Sequence, residues 1–235
     1  MRYTANNEVY IKILYWGIAN SGKTTMLDTL YKITTDQNKD IMPVSDLKKI
    51  AKKSGSTLYF DRGLFRSNRQ KKVYYHVYTV AGQRNFGSIR KRVFEGTDGV
   101  IFVVDSQTQF LEDNIESLKE LKDLTQNKLI HEIPLIIALN KQDLLETIDK
   151  EIFRHVLREE KLWYEPQNNL FVWNPLIFDT CSLPESEKNV YRCFAECARR
   201  TGLYQILGNG KAPVDKGKLE ELEKIGFKVP NKSTP

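Results

Sequence analysis

The stretch that most restricts this chain is "VYIKILYWGIANSGKTTMLDTL", Val9 to Leu30. Its first eight residues are β-branched and aromatic enough for a strand, whereas Met26, Leu27 and Leu30 follow with helical spacing. Between them, Gly17, Gly22, Lys23 and Thr24 satisfy G-x-x-x-x-G-K-[ST] at the junction where that motif works, after a strand and at a helix start. Glycines let the backbone turn and approach a phosphate closely. The amides of Asn20, Ser21, Gly22, Lys23, Thr24 and Thr25 can then face the anion together with the helix N-terminus. The Lys23 ammonium is expected to reach the β/γ-phosphates, and the Thr24 hydroxyl is a natural ligand for magnesium, which prefers hard oxygen donors. The competing reading is a helix cap with a spare lysine.

Downstream, "KKVYYHVYTV" reads as a second long strand, and "GVIFVVD" and "IPLIIALN" are apolar runs of the kind buried in parallel sheets. "FLEDNIESLKELKDL" puts Leu111, Ile115, Leu118 and Leu121 on one helical stripe, and Val190, Cys193, Phe194 and Cys197 repeat the pattern later. Alternating strands and helices imply an α/β fold with a mostly parallel sheet, which binds ligands at the carboxyl ends of its strands. The expected organisation is one domain over 1–207, an aromatic-rich insertion at about 161–175, and a partly flexible C-terminal extension, 208–235. That extension contains a short helix in "KLEELEKIGF".

Composition removes several classes of function. No run of 18 apolar residues exists, and neither a signal segment nor a lipidation motif is present, so a cytoplasmic protein is expected. Three cysteines, Cys181, Cys193 and Cys197, give no disulfide framework; core packing is the favoured reading of the last two over a metal pair. The net charge of +6 is unevenly spread, for Asp46 to Arg92 holds 13 Lys/Arg against 2 Asp. Such a block favours an anionic partner. With Tyr59, Phe60, Phe65 and Tyr74 interleaved it also carries a cue for single-stranded nucleic acid, though protein or membrane-surface contact is the stronger reading.

The run "PLIIALN" ends in "NKQD". The Asp143 carboxylate can accept two hydrogen bonds from guanine's paired donors, which adenine lacks, and an unpaired acceptor discriminates strongly against the wrong base. The Lys141 stem can lie against the base, and Asn140 can brace the phosphate loop.

With both motifs in these positions the chain resembles the Ras-like small GTPases from about Val9 to Tyr204. "NKQDL" and "IFVVDSQ" look like the Arf/Sar branch, while "STLYFDR" and "YHVYTVAGQR" look more like the MglA group of bacteria and archaea. The resemblance implies a Ras-like phosphate-loop GTPase fold, with a six-stranded, mostly parallel sheet and helices on both faces. It also implies bound GTP or GDP with Mg2+. Position by position, Thr57 matches the switch I threonine that completes the magnesium shell, so the metal residues are Thr24 and Thr57. Gly82 matches the glycine whose amide contacts the γ-phosphate. Gln83 matches the glutamine that orients the attacking water, and with Lys23 and Thr57 makes up the catalytic set. Cys181 and Ser182, with Thr180, occupy the place of the loop that contacts guanine through backbone amides. A roadblock-type GAP and effectors are the partners implied at the switches, with roles in polarity, motility or trafficking and peripheral membrane contact through partners.

Two positions depart from the family pattern. The switch motif usually reads Asp-x-x-Gly-Gln, but here it opens with Thr79, so magnesium is expected to be held more weakly and without a nearby switch carboxylate. Bacterial MglA proteins have an arginine before the switch I threonine; here it is Ser56, leaving Arg62 or Arg84 as substitutes and slow intrinsic hydrolysis as the expectation. Two other function classes therefore stay open. One is a nucleotide-binding module without turnover. The other is an ATP-using enzyme in which Asp105, ending "VIFVVD", supplies the magnesium carboxylate.

Overall fold

The computed structural model describes residues 1–50, 60–81 and 87–227. Nine strands join in one sheet among them: β1 (Arg2–Tyr3), β2 (Val9–Trp16), β3 (Ile41–Pro43), β4 (Lys48–Ile50), β5 (Phe60–Ser67), β6 (Val73–Thr79), β7 (Gly99–Asp105), β8 (Leu135–Asn140) and β9 (Leu176–Asp179). The main path runs β3-β5-β6-β2-β7-β8-β9, with β1 on β2 and β4 on β5. From β6 through β9 every pairing along this path is parallel, and β5 joins β6 antiparallel. The mostly parallel α/β sheet is therefore as expected, with three short strands added to the six. β1, β3 and β4 have two or three residues each, too few to show a period of two in the sequence.

β7 shows why the central strands read as unbroken apolar runs. Val100, Phe102 and Val104 enter one core, with Leu118, Leu121 and Phe153, whereas Ile101 and Val103 enter the other, with Met26, Leu27 and Phe194. Both faces of the strand are buried, so both sets of alternating side chains must be apolar. Each such side chain contributes roughly 1.5–3 kcal/mol of gross burial energy. Helices α1 (Lys23–Asp36) and α5 (Val190–Ile206) cover the second face, and α3 (Leu111–Leu124) and α4 (Lys150–Glu159) pack over the first, with α2 (Gly87–Phe94) lending Val93. Asp149 caps α4 by accepting from the Ile152 amide.

The stripe expected on α5 is buried in full: Val190, Cys193, Phe194 and Cys197 are within 1% of complete enclosure. Burial pushes the Cys193 thiol up and the Cys197 thiol up to about 12, so both act as apolar core residues. On α3 the stripe is mixed. Leu118 and Leu121 are buried, but so are Asn114 and Ser117. The Asn114 amide group accepts from Asp105 N (3.1 Å) and donates to Asp105 O (2.9 Å) and Phe110 O (2.7 Å), fastening the helix to the end of β7.

The insertion at 161–175 and the chain after 208 pack on each other. Trp173 is fully buried; its indole donates to Pro213 O (2.9 Å) and lies 5.0 Å from the Phe227 ring. Helix α6 (Lys216–Lys224) occupies the stretch read as a short helix and inserts Leu222 into the first core. Residues 228–235 lie outside the described set.

On the first face, beyond the helices, Tyr10 stacks on Tyr74 (4.9 Å), His76 lies beside Tyr78 (6.2 Å), and Lys12 and Arg62 sit over the Tyr78 ring. Burial, then the charges of Arg62, Arg2 and Lys12, pull the His76 imidazole down to about 4. The folded state thus binds fewer protons than the unfolded state between pH 4 and the ordinary histidine value of 6.5. Stability from this group is present above pH 6.5 and lost as pH falls towards 4. Urea unfolding at pH 7 and pH 4.5 should give a larger loss for wild type than for His76→Phe, by about 1 kcal/mol once solvent screening of a half-buried ring is allowed for.

Candidate functional site

The loop after β2 is held by close approaches that only glycine permits. Gly17 has φ +146°, and a Cβ there would lie 2.2 Å from Val103 O; Gly22 has φ +97°, and its Cβ would lie 2.2 Å from Asn140 Nδ2. α1 begins directly after Gly22 with no side-chain cap, so its N-terminus is open toward the loop. Asn20, also at positive φ, is exposed at the loop tip, and Ser21 is buried beneath it.

Lys23 is folded inward. Its ammonium donates to Gly17 O (3.0 Å), to Ile18 O and to Ser21 Oγ (3.4 Å). Burial, then the Arg90 charge, pulls its pKa down to about 7. Arg90 itself is 5% exposed, pairs with Glu120 (2.8 Å) and lies over the Trp16 ring. It lines a cleft of about 840 Å3 together with Ile18, Ala19 and Asn20. The sequence reading did not single it out, because an arginine early in an amphipathic helix looks like any surface cation.

Three segments converge on Asn140. Its amide donates to Ser21 O (2.8 Å), while its oxygen accepts from Ser182 Oγ (3.0 Å) and Thr180 Oγ1 (3.4 Å). Thr29 of α1 donates in turn to Ser182 O (2.6 Å). The phosphate loop, "NKQD" and the "TCS" loop are thus one hydrogen-bonded unit at the carboxyl ends of β2, β8 and β9. Asp143 is exposed beside it. The Thr180 and Cys181 amides are engaged within the protein, donating to Leu139 O (2.7 Å) and Lys188 O (3.3 Å), which counts against the expected role of the Cys181 amide. The Cys181 side chain is buried against Ser186 Oγ.

Asp105 is committed elsewhere than to a metal. It is 1% exposed, and its carboxylate accepts from Lys141 Nζ (2.6 Å) and from both Gln107 nitrogens. That pairing fixes Lys141, at φ +67°, and argues against the ATP-type arrangement.

Asp61, which the sequence reading did not single out, brings a carboxylate to Thr24. β5 and β6 pair so that Asp61 lies opposite Thr79. The Thr24 hydroxyl donates to Asp61 Oδ2 at 2.5 Å, the Thr79 hydroxyl donates to the same oxygen at 3.2 Å, and Asp61 N donates back to Thr79 Oγ1 at 3.0 Å. Asp61 is 2% exposed, and its Oδ1 is buried without a partner. A hydroxyl and a buried carboxylate with one unsatisfied oxygen form a hard-oxygen donor set that fits hydrated magnesium. Arg62, the next residue, faces the other side of the strand and stacks on Tyr78, so it does not point at the loop. Ser56, Thr57, Tyr59, Gly82, Gln83 and Arg84 lie outside the described residues.

The model of the ADP-ribosylation factor family matches residues 1–188, most of the chain. The protein belongs to this Arf family. Among curated relatives it is 33% identical over 165 residues to the mutual gliding-motility protein MglA of Myxococcus xanthus (strain DK1622), covering 67% of this chain and 80% of that protein. It is 30% identical over 161 residues to ADP-ribosylation factor-like protein 3 of Caenorhabditis elegans, covering 66% and 75%. The chain is therefore a small GTPase, both Arf-like and MglA-like, with the Ras-like fold. Among the described residues no helix is long and apolar enough to cross a membrane.

In this GTPase the Asn140 junction should be the costliest polar contact to remove. Asn140→Ala strands the buried Ser182 hydroxyl and Ser21 carbonyl and is expected to cost about 2–4 kcal/mol in chemical unfolding. It should also speed release of fluorescent GDP at least tenfold, while Ser182→Ala stays within about 1 kcal/mol of wild type.

Proposed function

We propose that this protein is a GTP/GDP switch that holds guanine nucleotide with magnesium and hydrolyses GTP slowly, its turnover raised by a partner. The observation that carries the reading is the Asn140 junction, which ties the phosphate loop to the base-reading loops within hydrogen-bond distance. In this reading the loop amides from Asn20 to Thr25 and the open N-terminus of α1 receive the phosphates. The Lys23 ammonium exchanges its carbonyl partners for β/γ-phosphate oxygens. Asp143 accepts the paired donors of guanine, Lys141 lies along the base while anchored on Asp105, and the Ser182 amide meets the guanine oxygen. Thr24 and Thr57 would hold magnesium, which would supply positive charge to the phosphates. Gly82 senses the γ-phosphate through its amide, and Gln83 orients the attacking water.

Slow intrinsic turnover is supported by Ser56, where the resembling bacterial proteins have arginine, and by the stacking of Arg62 on Tyr78. An arginine supplied by a partner is worth about 10³–10⁵ in rate. A roadblock-type GAP, effectors at the switches and peripheral membrane contact through partners complete the proposal. The similarity to a gliding-motility protein supports a role in polarity or motility. The half-buried ladder of Tyr10, Tyr74, His76 and Tyr78, flanked by Lys12 and Arg62, supports an acidic protein surface as the partner, ahead of nucleic acid.

Two measurements test this. In competition binding, GTP should displace a fluorescent guanine nucleotide at least 10³ times better than ATP, and Asp143→Ala should remove most of that preference. In single-turnover hydrolysis, Gln83→Leu should be at least tenfold slower than wild type, by analogy with other oriented-water positions. Equal rates would leave a binding module without turnover as the better reading.

A further inference from the structure

The sheet ends on one side at β9, which pairs with β8 and has no second neighbour among the described strands. The Thr180 amide turns toward β8 and donates to Leu139 O, while Asp179 O turns outward and accepts from Asn189 Nδ2 (2.9 Å). Alternation along the strand then points the Ile177 amide and carbonyl outward as well. The consecutive residues Leu176, Ile177 and Phe178 all line one cleft of about 470 Å3. Neighbouring side chains leave a strand on opposite faces, so what the three share with that cleft is the strand's open edge.

One wall of the cleft is α5, where Arg192, Ala195 and Arg199 lie on a single stripe. Arg192 sits over the Phe178 ring (5.7 Å) and Arg199 over the Phe227 ring (4.4 Å), so both guanidinium groups are held beside the edge. Glu196, the carboxylate between them, is engaged by the buried Arg200 (2.8 Å) as well as by Arg199 (2.7 Å), and Asp179 is matched by Lys150 (3.0 Å), which leaves the wall positive. Leu176 and Arg199 also line a second cleft of about 600 Å3, closed by Trp163 of the insertion and by Ile225 and Phe227 of the C-terminal segment. The family match ends at residue 188, ahead of every α5 and C-terminal residue in these walls.

We propose that the β9 edge and this groove bind an extended acidic segment of a partner protein, which adds a strand to the sheet. Its backbone bonds to Ile177, its acidic side chains on one face meet Arg192 and Arg199, and an apolar residue at the Pro175 end enters the cleft beside Trp163 and Phe227. Charge selects this occupant. A second copy joined edge to edge would bring the arginines of two α5 helices together, and a basic segment would face like charge. With only four residues, β9 offers few backbone bonds, so affinity depends on the arginines and the apolar cleft and falls with salt. β9 lies at the opposite end of the sheet from β5 and β6, and the proposal stands apart from the nucleotide reading.

The test is fluorescence polarisation on the full chain, with a labelled peptide of about eight residues that alternates Glu with Val and carries Phe at both ends. The peptide should bind, and the same peptide with Lys for Glu should not. N-methylation of one alternate set of its backbone amides should weaken binding at least tenfold while methylation of the other set does not, a signature of strand addition. Arg192→Glu/Arg199→Glu, checked by thermal melting, should bind the Glu peptide at least tenfold more weakly and gain binding of the Lys peptide. Absence of saturable binding up to about 1 mM, equal affinity for both methylated forms, or unchanged affinity in the folded double variant overturns the proposal. Sedimentation with phosphatidylserine vesicles that needs the two arginines, without peptide binding, overturns it in favour of a membrane contact.

Discussion

Asn140 is one side chain that donates to Ser21 O and accepts from Ser182 and Thr180, and the geometry of the whole nucleotide end depends on those three bonds. Its position is fixed by β8, which lies between β7 and β9 in parallel register. Its reach is made possible by Gly22, where any Cβ would occupy the space of the Asn140 amide. A loop with Gly17 against Val103 O and Gly22 against Asn140 has almost no freedom left. The amides of the loop are pre-organised, so an anion need not order them on binding. The same junction reaches the "TCS" loop through Ser182 and α1 through Thr29, so movement at the base edge is mechanically linked to the phosphate end.

Much of this was legible in the sequence because it is local. A phosphate loop is eight consecutive residues, "NKQD" is four, and strands such as β7 announce themselves by apolar content on both faces. What escaped is what depends on pairing across distance. Asp61 looked like one more charge in a basic block, and nothing in "YFDRG" says that it will stand opposite Thr79; only the β5–β6 register does. Arg62 was a candidate for the missing arginine until the alternation of β5 turned it toward Tyr78. The "TCS" loop lies against Asn140, but its backbone commitments to Leu139 and Lys188 follow from β8–β9 packing and an isolated bridge that no four-letter pattern encodes. Asn114 and Ser117 likewise broke a helical stripe, since a stripe records burial and not the polar end of a strand that the helix must satisfy.

The insertion and the C-terminal segment explain each other. Trp173 needs a partner for its indole N–H once it is buried, and Pro213 O supplies it. Arg200 donates to the carbonyls of Trp173 and Asn174 while paired with Glu196, and Arg199 lies over the Phe227 ring. Two aromatic rings, Trp173 and Phe227, and two arginines of α5 are therefore shared between segments far apart in sequence, at the edge of the sheet beyond β9 and away from the phosphate loop. Additions at that edge enlarge the first core without crowding the strand ends where the site lies.

The electrostatics of the phosphate loop are set by burial. Lys23 is buried, its ammonium is satisfied by backbone carbonyls that carry only partial charge, and the Arg90 guanidinium acts on it from the same cleft. Burial, then the Arg90 charge, lowers its pKa to about 7. Asp61 presents the opposite case, a buried carboxylate without a full counter-charge. Anionic phosphate oxygens of the guanine nucleotides that this family binds would offset the desolvated charge of Lys23.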